Sequence, residues 1–289
     1  MSVSLEEALA RLPAWVRTHD LQVQPLFGGM TNRNYRLEVG GETFVLRISG
    51  ANTALLGLDR AREYTATVAA ARIGVAPEVV HFDQAAGLLL TRFITGRTWS
   101  PTELRQPANI RRVAETLQRV HHLPPIDATF SPWAAVTHMY AAVQRLSVPL
   151  PRNFAWLLAQ IRDLEAVSSH AASVPCLCHN DVWTGNMLDD GTLRLIDWEF
   201  AGMGDVHFDL ATLMMHHNFS VTHERLLLAS YFGTLTSAHT EQVERMKRVM
   251  LLFDGLWALI QLGSAGQGHD FQTYADKSFT RLAQLLTQV

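Results

Sequence analysis

Residues 178–200 read CHNDVWTGNMLDDGTLRLIDWEF and set one histidine, two asparagines, four aspartates and one glutamate between two short apolar runs. Such side chains are ordinary on a solvated surface, but their order is not scattered. His-Asn-Asp comes first, an asparagine follows five residues after that aspartate, and Ile-Asp-Trp comes later. The stretch is therefore either an exposed acidic hairpin or a site that holds a metal ion.

The local pattern favours a hairpin. Two short strands, NML and LRLI, would flank the Asp-Asp-Gly turn at residues 189–191, a turn sequence typical of hairpins. Asp181 then lies just before the first strand and Asp197 just after the second. Because the open ends of an antiparallel hairpin lie together, we expect Asp181, Asn186 and Asp197 to converge. Convergent carboxylate and amide oxygens suit a hard cation such as Mg²⁺.

Composition limits the class of protein. The chain has 289 residues, is 48% hydrophobic and carries a formal charge of -3 from 24 basic and 27 acidic residues. Its length can bury a large core, in one domain or two lobes. The charges are spread along the chain, so we expect a globular protein with no nucleic-acid partner.

Cysteine usage and the apolar segments bear on location. Cys176 and Cys178 lie two residues apart in an alternating run, where a disulfide is sterically disfavoured and metal-ligand spacing is absent. The start, MSVSLEEALARLP, lacks the basic and apolar regions of a signal peptide. The apolar segment VMLLFDGLWALIQLG contains Asp254 and is shorter than the roughly 20 residues that span a bilayer. We therefore expect a cytoplasmic protein with no membrane partner.

The period of the apolar pattern predicts an α+β fold of two lobes. The N-terminal lobe, residues 1–95, is predicted as a mostly antiparallel five-stranded sheet with one inserted helix, and the C-terminal lobe, residues 96–289, as mainly helical. Strands are predicted at 21–27, 34–39, 43–49, 78–83 and 87–93, and helices at 5–19, 59–74, 110–123, 153–167, 208–218, 223–233 and 243–261.

Ordered motifs extend the hairpin pattern over nearly the whole chain. They are FGGMTNRNYRL, VLRISG, GVAPEVVHFD, HNDVWTGNML, LIDWEFAG, FDLA and GLWALIQ. In this set the sequence resembles the choline/ethanolamine kinase and aminoglycoside phosphotransferase superfamily, nearest to its bacterial choline-kinase-like branch. The resemblance implies a protein-kinase-like fold, ATP and Mg²⁺. Protein kinases share the Asp-x-x-x-x-Asn spacing, but here His-Arg-Asp is His-Asn-Asp and Asp-Phe-Gly is Asp-Trp-Glu.

The turn GGMTNRN is a candidate phosphate loop. Gly28 and Gly29 would let the backbone approach a phosphate closely, and Thr31 and Asn32 would add polar contacts. A plain hairpin turn has the same composition, and the kinase GxGxxG spacing is absent. The resemblance implies that this loop covers the nucleotide.

Three residues elsewhere in the N-terminal lobe complete the predicted nucleotide site. Arg47 follows an apolar run, where an inward-facing cation needs negative charge. The resemblance implies that Arg47 grips the ATP phosphates, with Glu63 as its partner on a helix, although Glu63 would equally suit a helix surface. It also places the backbone around Phe93 against the adenine, although an aromatic residue there can be ordinary core packing.

The resemblance implies a division of roles in the hairpin stretch. Asp181 is the predicted catalytic base because the acceptor hydroxyl needs a nearby proton acceptor, whereas His179 is predicted to orient the loop. Asn186 and Asp197 are the predicted metal ligands. Asp209 in FDLA is predicted to brace the catalytic loop through hydrogen bonds.

The acceptor site departs from the family pattern. The late helix of the family has two tryptophans around Gly-Leu, whereas LFDGLWALIQ keeps Trp257 and has Asp254 at the first position. The acidic residue that the family often carries after FDLA is replaced by His216 and His217. Asp254 and Trp257 could share a wall that accepts a cationic alcohol, since cation-π contact suits such a ligand. Trp257 could also simply pack in the core.

The predicted function is an ATP-dependent kinase of a small cationic alcohol, choline-like or ethanolamine-like. An aminoglycoside or thiamine kinase of the same fold is the alternative acceptor class, and a nucleotide-binding pseudokinase is the alternative without turnover. A protein kinase is disfavoured because no Ala-Pro-Glu segment or activation loop follows Asp197.

Overall fold

The computed structural model describes residues 3–18, 20–27, 29, 31–168, 174–264 and 270–287. The predicted sheet of the N-terminal lobe is present and entirely antiparallel, in the order β1-β2-β3-β5-β4. Its strands are β1 Gln22–Leu26, β2 Arg33–Val39, β3 Glu42–Ile48, β4 Val79–Asp83 and β5 Leu88–Arg92.

The first helix is shorter than predicted. Helix α1 spans Leu5–Ala10 after a capping box built by Ser4 and Glu7, and turns replace the rest of the predicted helix up to residue 18. Pro13 accounts for the early end, since proline lacks an amide donor and disfavours helical geometry at the residue before it. The prediction of a helix over residues 5–19 is therefore wrong beyond Ala10, and residue 19 lies outside the described residues.

Helix α2, Arg60–Arg72, connects β3 to β4, as predicted for residues 59–74. Asp59 caps it by accepting hydrogen bonds from the amides of Ala61 and Arg62. Arg60 and Glu63 are buried on this helix although both are charged, so its first turn faces the interior between the lobes.

The C-terminal lobe is helical, and its five predicted helices are confirmed as α4, α6, α7, α8 and α9. Three further helices, α3, α5 and α10, were not predicted. The bounds are α3 Pro101–Leu104, α4 Pro107–His121, α5 Pro132–Leu146, α6 Phe154–Ser168, α7 Val206–His216, α8 Val221–Phe232, α9 Ser237–Gly263 and α10 Phe271–Thr287.

Four short strands lie within and beside the stretch 178–200. They are β6 Cys176–Cys178, β7 Met187–Asp189, β8 Leu193–Leu195 and β9 Gly202–Gly204, and they pair antiparallel as β6 with β9 and β7 with β8. The predicted hairpin is therefore confirmed.

Asp189 anchors this hairpin to the segment that joins the lobes. Its carboxylate accepts two hydrogen bonds from Arg112, each of 2.8 Å, and one from Trp99 Nε1 at 3.0 Å. Its backbone bridges Arg97. The hairpin position is thus set by α4 and the connecting segment.

Two hydrophobic clusters form the core. The smaller one lies between α1 and the sheet, and the larger one runs from α2 into the helices of the C-terminal lobe. This continuity of the larger core across the junction holds the lobes together. The division at residues 95 and 96 stays a prediction. Among the described helices, none has both the length and the apolar character required to cross a bilayer.

Candidate active site

Asp181 and Asn186 are in contact within the loop that precedes β7. Asn186 lies in a single 3₁₀ turn just before β7, and its Nδ2 donates to Asp181 Oδ2 at 2.7 Å and to the Asp181 carbonyl at 3.0 Å. Because Nδ2 is used in this way, Oδ1 of Asn186 is the atom able to face a cation. Asp197 lies two residues after β8, within electrostatic range of Asp181.

Asn180 and Asp197 adopt left-handed backbone conformations, with φ of 64° and 61°. Asparagine and aspartate tolerate this region better than most residues. Asn180 is held by Nδ2 donating to the Phe200 carbonyl at 2.9 Å. The tight turns on both sides of the hairpin therefore depend on these residue types.

Asp209 braces the catalytic loop, as predicted. Its fully buried carboxylate accepts hydrogen bonds from the amides of His179 at 2.9 Å and Asn180 at 2.5 Å. His121 Nε2 also contacts it at 2.9 Å, and His121 Nδ1 contacts the Tyr231 hydroxyl at 2.6 Å. The carboxylate thereby satisfies backbone donors that would otherwise be buried without partners.

Cys178 lies beside this brace, so His121, Cys178 and Asp209 place potential ligand atoms within 4.8 Å of one another. Spacing along the chain did not reveal this cluster. Burial raises the pKa of the Cys178 thiol well above its usual range. Since the thiol stays protonated and the other two groups are hydrogen-bonded within the protein, the cluster acts as structural support for the loop.

His179 is buried and neutral. Burial lowers its pKa, its Nε2 contacts the Ile196 carbonyl at 3.0 Å, and its Nδ1 accepts from the Asp181 amide at 3.3 Å. Both ring nitrogens are thus engaged with backbone groups. This geometry matches the orienting role predicted for His179.

Arg47 and Glu63 form the ion pair expected between β3 and α2. Both terminal nitrogens of Arg47 contact the Glu63 carboxylate, with Nη2 at 2.6 Å from Oε2. Burial would lower the pKa of Arg47, but the Glu63 carboxylate raises it. Arg47 Nη1 also lies 3.4 Å from Asp197 Oδ1, which links the N-terminal lobe to the hairpin.

Two residues of the same network, Arg60 and Glu199, were missed by the sequence analysis. Arg60 Nη1 lies 2.8 Å from Glu63 Oε2 and 3.0 Å from Glu199 Oε2. Asn32 Nδ2 donates to Glu199 at 2.8 Å. The glutamate in Asp-Trp-Glu, where protein kinases have glycine, was the signal that could have identified Glu199.

The predicted nucleotide loop is only partly described, because Gly28 lies outside the described residues. Asn32 uses both ends of its amide within the protein, since its Oδ1 accepts from the Gly50 amide at 3.2 Å. A Cβ added at Gly29 would lie 3.0 Å from Asn34 Nδ2, so the turn is closely packed there. Thr31 is half-buried beside it.

Phe93 begins the segment between the lobes. Its amide donates to the Thr43 carbonyl at 3.0 Å, and its ring lies 5.0 Å from the Arg36 guanidinium carbon. Contact of Gly28, Gly29, Thr31, Asn32 and Phe93 with a nucleotide stays a prediction.

The centre holds a surplus of negative charge. Four carboxylates face two guanidinium groups: Asp181, Asp197, Glu63 and Glu199 against Arg47 and Arg60. Burial raises the pKa of Asp181 to about 6, and burial followed by the Glu199 charge raises the pKa of Asp197 well above its usual range. A hard divalent cation would relieve this repulsion, so the donor set fits Mg²⁺.

The predicted acceptor residues lie on α9. Asp254 Oδ2 is 3.1 Å from His216 Nε2 and accepts from the Tyr274 hydroxyl at 2.9 Å. Trp257 is half-buried and packs edge-on against Phe271 and Tyr274, with ring centroids 5.7 and 6.1 Å apart. Asp254 and Trp257 are therefore connected through Tyr274, a residue that the sequence analysis missed because α10 was not predicted.

His216 and His217 differ in their surroundings. Burial would lower the pKa of His216, but the Asp254 carboxylate raises it. Burial lowers the pKa of His217 to about 3, and its Nε2 accepts from the Thr184 amide at 3.2 Å. His216 thus contacts the Asp254 carboxylate, whereas His217 supports the turn before Asn186.

A two-lobed fold with these oxygen donors at the lobe junction is the architecture of a kinase-like phosphotransferase. The profile of the Phosphotransferase enzyme family, APH, matches residues 22–247, and the chain belongs to this family.

Individual relatives agree with this assignment. Protein LicA of Haemophilus influenzae is 29% identical over 274 residues, which cover 91% of this chain and 79% of that protein. A choline/ethanolamine kinase family protein from Mesorhizobium loti has a crystal structure with a TM-score of 0.78 at 29% identity, covering 97% of this chain and 92% of its own. Choline kinase LicA from Streptococcus pneumoniae has a TM-score of 0.80 at 22% identity, covering 94% and 95%. The resemblance, the predicted fold and the phosphotransferase class are confirmed.

The hydrogen bonds that Asp209 accepts predict a large loss of stability in Asp209→Asn. In either orientation of the new side-chain amide, its NH₂ group faces the buried backbone N–H of His179 or Asn180. We therefore expect the free energy of unfolding to fall by at least about 2 kcal/mol. Chemical denaturation measures this change. The exposed Asp163→Asn serves as the control and should unfold like the wild type. Equal stability of Asp209→Asn and the control would contradict the bracing role.

Proposed function

We propose that the chain is an ATP-dependent kinase that transfers the γ-phosphoryl group to the hydroxyl of a small cationic amino alcohol of the choline or ethanolamine type. The observation that carries this proposal is the position of the Asp181 carboxylate, which lies within range of two further acidic groups. Asn186 and Asp197 lie on one side, and the Asp254 cluster lies within electrostatic range on the other. The names of the relatives support the same acceptor class.

Asp181 is the proposed proton acceptor for the substrate hydroxyl. Burial raises its pKa to about 6, which makes the carboxylate a stronger base while leaving it mostly ionised at neutral pH. Its Oδ2 accepts from Asn186, and its amide is held by His179, so the carboxylate is oriented before substrate arrives. Orientation of this kind lowers the barrier for in-line attack.

Asn186 and Asp197 are the proposed ligands of Mg²⁺. The ion, when bound with ATP, would supply charge neutralisation between the phosphate groups. Arg47, held by Glu63 and close to Asp197, is proposed to bind phosphate oxygens as well. The loop with Gly28, Gly29, Thr31 and Asn32 and the backbone at Phe93 complete the proposed nucleotide site.

Asp254 is the proposed partner of the acceptor cation, and Trp257, which packs edge-on against Tyr274, is the second residue proposed for the acceptor site. A half-buried carboxylate within electrostatic range of the proposed base suits a substrate whose ammonium lies a few atoms from its hydroxyl. We also propose a cytoplasmic location, where ATP is abundant. The two free thiols, 4.0 Å apart, agree with a reducing compartment.

Turnover tests this function together with the role of Asp181. With ATP, Mg²⁺ and an amino alcohol, the wild type should release ADP, whereas Asp181→Asn should lower kcat by at least about 100-fold because the proton acceptor is removed. The exposed Asp127→Asn should retain the wild-type kcat. A folded Asp181→Asn enzyme with nearly native kcat would contradict the assignment. Release of ADP only with an aminoglycoside or thiamine would move the function to that acceptor class.

Asp197→Ala should act on nucleotide binding instead. Loss of a metal ligand should weaken the affinity for ATP in the presence of Mg²⁺ and leave the weaker, metal-free binding largely unchanged. Calorimetric titration with ATP in Mg²⁺ and in a chelator measures both quantities. Unchanged affinity in Mg²⁺ would show that Asp197 is not a ligand of the bound ion.

A further inference from the structure

The two oxygens of the Asp254 carboxylate have different surroundings. Oδ2 meets both His216 Nε2, at 3.1 Å, and the Tyr274 hydroxyl, at 2.9 Å. Oδ1 accepts no hydrogen bond from any residue that the structure describes. The Asp254 side chain is 13% exposed to solvent and lines the adjoining groove, so Oδ1 is accessible from that groove.

His216 and Tyr274 fix this arrangement from two other helices. Burial and then the Asp254 charge raise the pKa of Tyr274, so its hydroxyl keeps the proton that it donates. His216 Nε2 is the donor in its contact with Oδ2, because an ionised carboxylate only accepts hydrogen bonds. With Oδ2 held twice, the carboxylate cannot turn freely, and Oδ1 has a set direction.

The groove beside Asp254 has a volume of about 570 Å³ and runs between the end of α7, α9 and α10. The charge of Asp181 acts on His216 and on Tyr274, which places this end of the groove within electrostatic range of the catalytic base. Trp257 does not line the groove; its ring packs edge-on against Tyr274. Among the described lining residues, Tyr274 is the only phenylalanine, tyrosine or tryptophan.

Lys277 and Arg281 line other parts of the groove, but the side chains at its Asp254 end favour one kind of ammonium group. A quaternary ammonium has no N–H and binds best among several aromatic faces, which would have to surround it. An ammonium that carries an N–H can donate a charge-assisted hydrogen bond to a free carboxylate oxygen, which is stronger than a bond between neutral groups. The wall at Asp254 offers the second kind of contact.

We infer that the acceptor site selects amino alcohols whose ammonium carries at least one N–H, with Asp254 Oδ1 accepting that hydrogen bond. His216 and Tyr274 are positioning residues that hold the carboxylate for it. The inference rests on the proposed kinase function and narrows its substrate class. It favours ethanolamine and its partly methylated forms over choline.

A methylation series tests the selection. The probes are ethanolamine, N-methylethanolamine, N,N-dimethylethanolamine and choline, each measured at saturating ATP and Mg²⁺. The first three should have kcat/KM values within a few-fold of one another, and choline should be lower by at least about tenfold, since only choline lacks an N–H. Asp254→Asn should lower kcat/KM for all amines and close the gap to choline, whereas Asp163→Asn should keep the wild-type series.

The positioning residues need a separate readout. Tyr274→Phe should raise KM for N,N-dimethylethanolamine and leave kcat and KM for ATP near their wild-type values. His216→Ala should do the same, and His216→Gln, which keeps a side-chain N–H donor, should recover part of the loss. Melting temperatures measured beside the kinetics show whether each variant folds. If Asp254→Asn does not fold, Tyr274→Phe still tests the arrangement.

The outcomes separate the inference from the proposed function. Choline used as well as N,N-dimethylethanolamine, or an unchanged gap in folded Asp254→Asn, would overturn the inference and leave the kinase intact. An unchanged KM in Tyr274→Phe would overturn its positioning role. Absence of ADP release with all four amines would overturn the proposed function and the inference with it.

Discussion

The run of buried ion pairs from Arg47 through Glu63 and Arg60 to Glu199 is the constraint on which the catalytic centre depends. These charges come from β3, the first turn of α2 and the segment after β8. A buried charge costs several kcal/mol unless it is paired, so these three segments must come together for any of them to be stable. Because Arg47 also reaches Asp197, the same pairing sets the hairpin against the sheet.

On the opposite side of the centre, carboxylates accept hydrogen bonds from neutral groups instead of pairing with guanidinium groups. There the carboxylates of Asp209 and Asp254 each accept hydrogen bonds from neighbouring donors, Asp209 from the backbone of His179 and Asn180, and Asp254 from Tyr274 at the proposed acceptor groove. Asp181 is acted on by charges from both sides, Glu199 on one and Asp254 on the other. Its raised pKa follows first from burial, with the Glu199 and Asp254 charges contributing to the rise. The negative centre that suits a metal ion and the carboxylate of Asp254 therefore both act on Asp181, the proposed base.

Local patterns predicted the sheet, the hairpin and the contact of Asp181 with Asn186, because strand alternation and an Asp-Asp-Gly turn act over a few residues. The Arg60–Glu199 pair joins residues 139 positions apart, and no local pattern encodes such a contact. Helix α10 could have been predicted from its buried positions 271, 275, 278, 279 and 282, whose spacing is helical. Without that helix, the partner of Asp254 on it was also missed. Helix α5 carried a comparable signal in Ser131, an N-cap followed by proline.

We propose that the chain transfers a phosphoryl group to an amino alcohol, and phosphorus NMR of the complete reaction follows both the donor and the product. With the wild-type chain, ATP, Mg²⁺ and ethanolamine, the γ-phosphate resonance should disappear while a phosphomonoester resonance grows in equal amount with ADP. Omission of Mg²⁺ should prevent both changes. ADP accompanied by inorganic phosphate alone, or intact ATP in the presence of the folded protein, would contradict the claim.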